Sequence, residues 1–221
     1  MNLIKKNQFR WSIAYLLLVL AFLLENRYTS NSSAPYLIAL PVLFAAIVLL
    51  RYKRLKEYLI VLALFFSGLG DLSGALSHFF MQIIFFSMAH IFYILAFSQK
   101  VQFSYKGMAC SILIIGFVLC YTIFITVKIP ANERYTSIIY SLIVSVMCAS
   151  SFLYNGQYSI LFRIAAVLFL ISDGMIAWSV YSGSFPFISL TIMASYYLAQ
   201  YLFLYGFLVR DNKVSKPLTV V

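Results

Sequence analysis

Eight long apolar segments separated by short polar connectors dominate the chain: residues 11–24, 34–50, 58–76, 79–97, 108–127, 135–153, 160–181 and 187–209. At about 1.5 Å of rise per helical residue, runs of this length reach across most or all of a hydrocarbon layer about 30 Å thick. The backbone finds no water there, so a segment that enters must close its hydrogen bonds within itself. The pattern predicts an all-α, polytopic integral membrane bundle, with residues 1–221 forming a single transmembrane domain of eight helices. Composition agrees, because 63% of residues are hydrophobic and 10% charged, where a soluble domain carries about 25% charge.

The first segment is the weakest by length. Lys5, Lys6 and Arg10 give it the look of a signal peptide, but Glu25-Asn26-Arg27-Tyr28 follows in place of a small-residue cleavage site. A membrane helix extended by Phe9, with Arg10 snorkelling to the interface, fits better. Pro41 predicts a kink in the second segment, and Pro130 the end of the fifth. Arg51 to Glu57 is a basic connector, whereas Ser77 and His78 leave a tight turn that makes the third and fourth segments antiparallel neighbours. With eight crossings, 13 of the 16 Lys and Arg fall on the side holding both termini, and three (Arg27, Lys128, Arg134) on the other. Cations are retained on the cytoplasmic side, so both termini are placed in the cytoplasm. For a bacterial source the membrane would be the plasma (inner) membrane.

The net charge of +10 does not point to nucleic acid, since that needs a soluble basic face and these cations border apolar segments. Cys110, Cys120 and Cys148 lie inside segments, are odd in number and have no paired spacing, so they read as apolar residues rather than a disulfide framework or zinc site. With two histidines, no metal site is expected. No phosphate loop, Gly-x-Ser-x-Gly elbow or intramembrane lysine points to a cofactor or a serine nucleophile. Asn31-Ser32-Ser33 matches a glycosylation acceptor, a pattern too short to weigh much.

Acids inside the bilayer must be neutralised, paired or wetted, and they usually mark function. There are two, Asp71 in GDLSGAL and Asp173 in LFLISDGMIA. Helical rise places both about 20 Å from the cytoplasmic ends of their segments, with His90 and Tyr197 near mid-membrane and Gln200 one turn from Tyr197. Two acids converging on a cavity, one protonated and one ionised, are equipment for general acid and base catalysis. His90 would relay a proton or orient a partner, and Tyr93, Tyr196, Tyr197 and Gln200 would orient a polar group. The same residues can instead bond to neighbouring helices and only fix packing. The halves also resemble a parallel repeat, with Asp71 in the third segment as Asp173 is in the seventh, and Ala89-His90 aligned with Ala199-Gln200. Gly68, Gly70 and Gly74 allow close helix approach, Gly70 also leaving space beside Asp71.

GDLSGAL, then AHIFYILAF, YSLIVSVM (140–147), LFLISDGMIA and SYYLAQYL, in this order and spacing, resemble the YhhN-like lysoplasmalogenase family of eight-span membrane proteins. The likeness runs from the third segment to the eighth; the first two match in character alone. It implies a hydrolase that takes a lysophospholipid from the bilayer and cleaves the vinyl ether bond of a lysoplasmalogen. The products are a fatty aldehyde and a glycerophospho-ethanolamine or glycerophospho-choline, and neither metal nor organic cofactor is needed. On this implication Asp71 and Asp173 share the acid and base roles, with the assignment between them open, while His90, Tyr93, Tyr196, Tyr197 and Gln200 hold water or the headgroup. The competing reading is a proton-coupled small-solute transporter using the same aspartates, although the seventh and eighth segments lack the Gly/Pro interruption of broken carrier helices. A non-catalytic membrane scaffold is the third.

Overall fold

The computed structural model describes residues 3–28, 35–51 and 58–214. Among the described residues the chain forms eight α-helices: α1 (Leu3–Tyr28), α2 (Leu40–Arg51), α3 (Tyr58–Ala75), α4 (Phe79–Ser98), α5 (Tyr105–Thr126), α6 (Ala131–Leu153), α7 (Ser159–Tyr181) and α8 (Ile188–Val214). Six of them, α1 and α3 to α7, are long and apolar enough to cross a membrane. With 12 residues α2 is short for a span. The 27-residue α8 is long enough for a crossing by length alone. This is a multi-pass helical membrane protein. The Asn31-Ser32-Ser33 pattern and residues 52–57 of the basic connector lie outside the described residues.

Two proline expectations are corrected. The second segment is not kinked at Pro41 but broken before it, by a 3-10 turn over Pro35–Ile38. Pro41 then sits in the first turn of α2, where a missing N–H leaves no helical bond unmade. Pro130 does not end α5, which has already stopped at Thr126; it occupies the N-cap position of α6. Between α3 and α4 the turn is as tight as its sequence requires, with Ser77 in the left-handed region at φ 62° and the Ser73 carbonyl accepting from the His78 N–H at 2.8 Å.

In a bilayer, burying apolar side chains against one another gains little over burying them in lipid, so packing and interhelical hydrogen bonds hold the helices together. Ser172 Oγ donates to the Ile192 carbonyl at 3.1 Å, tying α7 to α8. Ser111 Oγ donates to the Ala149 carbonyl at 2.9 Å, tying α5 to α6. Close approach adds to this: a Cβ on Gly70 would lie 3.0 Å from the Phe86 ring, so the glycine makes room for that ring of α4 rather than for Asp71.

The helix pairings of the first half recur in the second. α3 packs along α4 as α7 packs along α8, and α2 reaches α3 and α8 as α6 reaches α7 and α4. Burial follows the same register: Phe86, Ala89, His90, Tyr93, Ala96 and Phe97 on α4 correspond to Tyr196, Ala199, Gln200, Phe203, Gly206 and Phe207 on α8, all buried. Corresponding rings meet between the halves, Tyr93 with Phe203 at 4.2 Å and Phe86 with Tyr196 at 6.0 Å. α5 lies on α6 and barely touches α7, which leaves a cleft along that side of the bundle.

Candidate active site

Asp173, on α7, is the centre of a three-residue polar cluster. Its Oδ2 accepts a hydrogen bond from the Tyr140 hydroxyl of α6 at 2.8 Å and lies 3.3 Å from His90 Nε2 of α4. His90 Nε2 is also 3.1 Å from the Tyr140 hydroxyl oxygen. The histidine is fully buried, its ring edge-on to Phe169 at 4.7 Å, and its Nδ1 has no partner. A buried N–H without an acceptor is costly, so the proton of the neutral ring belongs on Nε2, where both neighbours can accept it.

Asp71 is bound separately. Its Oδ2 accepts from the Tyr196 hydroxyl of α8 at 2.8 Å. The partners therefore cross between the halves: α8 binds the acid of α3, while α4 and α6 bind the acid of α7. Phe86 packs edge-on against both Phe169 and Tyr196, at 6.2 and 6.0 Å. Phe169 contacts Tyr196 edge-on at 5.3 Å on one side and His90 on the other. Of the remaining sequence candidates, the Tyr93 hydroxyl donates to Gln200 Oε1 at 2.9 Å. Tyr197 turns away, its hydroxyl donating to the Ile38 carbonyl at 2.8 Å.

A cavity of about 630 Å³ lies between α4, α5, α6 and α7. Of the seven residues singled out from sequence, all described, Asp173 is the one that lines it. Its side chain is 8% exposed while that of His90 is 0% exposed, so the carboxyl group faces the space and the imidazole stands behind it. Tyr140 and Gln82 add polar groups to a wall that is otherwise mostly apolar. The Tyr121 hydroxyl donates to the Gly174 carbonyl at 2.6 Å and ties α5 to α7 beside the acid. Elsewhere the wall is open on its outer side, where Leu113 and Phe117 of α5 and Ile171 of α7 line the cavity and keep large exposed surfaces. At that depth the surroundings are hydrocarbon.

Tyr140 is the residue that sequence reasoning missed. It opens YSLIVSVM, which had been noticed as a pattern, but one tyrosine among 17 carries no signal of its own. Its place one helix away from an intramembrane acid is visible only in three dimensions.

Fold and site together define a multi-pass helical membrane protein that presents a buried carboxyl group to a laterally open apolar cavity. The chain belongs to the YhhN family, whose profile matches residues 9–207. It is 33% identical over 117 residues to the Mus musculus protein named lysoplasmalogenase TMEM86B, a match covering 53% of this chain and 48% of the relative. The matched region thus spans about half the length of that relative. No solved structure is significantly similar to the chain.

Proposed function

We propose that the protein is a membrane hydrolase that cleaves the vinyl ether bond of a lysoplasmalogen, with Asp173 as the reacting acid. The observation that carries the proposal is the placement of Asp173 on the wall of an apolar cavity open to the bilayer, backed by Tyr140 and His90. Family membership and the relative's name support the substrate class. All eight helices are taken to cross the membrane, α2 together with the turn before it, and both termini to be cytoplasmic; the Lys and Arg bias supports this orientation.

The reaction starts from the protonated form of Asp173. Its proton goes to the alkene carbon remote from the ether oxygen, the C=C electron pair forms the new C–H bond, and the adjacent carbon becomes an oxocarbenium ion. The Asp173 carboxylate left behind is stabilised by the hydrogen bonds of Tyr140 and His90, preorganised donors in a site with little water. Water adds to the cation and gives a proton back to Asp173, which restores the acid. The hemiacetal then divides into a fatty aldehyde and the glycerol hydroxyl. One carboxyl group serves as acid and then as base. Asp71, behind Phe86 and Phe169, is a positioning residue: through Tyr196 it holds the aromatic wall against which His90 rests.

Unbroken α7 and α8 weigh against the carrier reading, which calls for unwound helices at the binding site. The test is aldehyde release by the purified protein in non-ionic detergent, given a lysoplasmalogen. A well-folded wild-type protein that releases none refutes the proposal.

A further inference from the structure

Cationic groups lie beyond both ends of the cavity, and the two ends are not equivalent. Near the turn between α5 and α6, Lys128 Nζ donates to Ser182 Oγ at 3.1 Å and sits over the rings of Phe124 and Trp178 at 5.1 and 5.4 Å. Trp178, Tyr181 and Ile129 line the cavity at this end. Arg134 lies beside it, its Nη2 donating to the Ile129 carbonyl at 3.2 Å. At the opposite end of α5 and α7 a second hollow of about 560 Å³ is lined by Lys106 and Arg163, and Val167 belongs to the walls of both spaces.

We propose that the end at Lys128 and Arg134 is a binding site for the phosphate of a lysophospholipid headgroup; this rests on the hydrolase reading above. Spacing decides between the ends. In a lysoplasmalogen six covalent bonds separate the phosphorus from the vinyl carbon that bears the oxygen, a span of about 7–8 Å at ordinary bond lengths. Trp178, beneath Lys128, is five residues beyond Asp173 on α7, about 7.5 Å of helical rise. Arg163 is ten residues before Asp173, about 15 Å away along the helix and twice the reach of those bonds.

The lipid then lies with its phosphate at Lys128, its vinyl ether at Asp173 and its chain running past Leu170 and Val167 toward the second hollow. Headgroup and chain keep the depths they have in a bilayer, so the substrate enters sideways without inverting. The Lys128 ammonium, already held by Ser182 and two rings, binds with little loss of side-chain freedom.

The test is equilibrium binding to the full chain in non-ionic detergent, followed by tryptophan fluorescence, since Trp178 is in the site. The probe is a saturated 1-O-alkyl lysophosphatidylethanolamine, which has no vinyl ether to cleave, compared with 1-O-alkylglycerol, which has no phosphate. Lys128→Ala and Lys128→Gln should each weaken the lysophospholipid roughly tenfold, the effect of one charge-assisted hydrogen bond. They should leave 1-O-alkylglycerol unchanged, Lys128→Arg should restore binding, and Arg163→Ala should change neither ligand. Wild-type affinity in folded Lys128 variants, or the loss appearing in Arg163→Ala instead, would overturn the assignment. Displacement of the lipid by inorganic phosphate at equal concentration would also overturn it, in favour of a free anion. Because the probe is uncleavable, binding as expected without aldehyde release from the vinyl ether would sink the hydrolase reading and leave this site standing.

Discussion

Tyr140 and Tyr196 offer a controlled comparison, because each donates one hydrogen bond of 2.8 Å to one intramembrane aspartate. Replacing either with phenylalanine removes a hydroxyl and keeps the ring. On the proposed mechanism the Tyr140 bond strengthens as Asp173 loses its proton, so its deletion is felt in the transition state. A hydrogen bond to a charged group contributes about 1.5–3 kcal/mol, and each 1.36 kcal/mol is tenfold in rate. Tyr140→Phe should therefore lower kcat about 10- to 150-fold with KM little changed, His90 remaining as the second donor. Tyr196→Phe deprives Asp71 of its donor behind the aromatic wall. It should lower folding stability by about 1–3 kcal/mol and change kcat by less than about threefold. Aldehyde release under saturating substrate, with thermal melts of both variants, measures the two effects separately. Wild-type kcat in a folded Tyr140→Phe variant would refute Tyr140 as the stabilising donor. An equal loss of kcat in both variants would refute the separation of the two acids.

The two acids themselves should divide in the same way. Asp173→Asn should lose aldehyde release by about 10²- to 10⁴-fold, the usual weight of a general acid, while folded Asp71→Asn keeps a measurable rate in the same assay. Ala177 lines the cavity one helical turn from Asp173, so Ala177→Phe should fill it and lower kcat/KM with the melting temperature retained. Gly206→Ala places a Cβ 2.5 Å from the Phe162 ring and should destabilise by about 1–3 kcal/mol, seen as a lower melting temperature with KM unchanged.

Much of the bundle was legible because lipid imposes one rule on every residue that enters it. Long apolar runs give helices, and the tight Ser77-His78 turn gives the α3–α4 hairpin, whichever residues fill them. Pro41 and Pro130 were harder, since a proline inside an apolar run and a proline at its first turn look alike in sequence, and only the path of the chain before them decides. The acids announced themselves by their cost in hydrocarbon. Of their partners, Tyr196 was singled out but not its bond to Asp71, and Tyr140 was not singled out, because tyrosines are common and their meaning here comes from helices 125 and 33 positions away. For the same reason the sequence does not show which acid His90 meets; it bonds to Asp173, the one contributed by the other half.

The crossing of partners between halves has a consequence for the order of synthesis. Asp173 is made after His90 and Tyr140, so α7 inserts into a membrane where both of its partners already wait. Asp71 is made 125 residues ahead of Tyr196, a delay of about 6–25 s at 5–20 residues per second. Through that interval the growing chain carries an acid in the membrane whose donor does not yet exist. A chain that stops before α8 lacks that donor altogether.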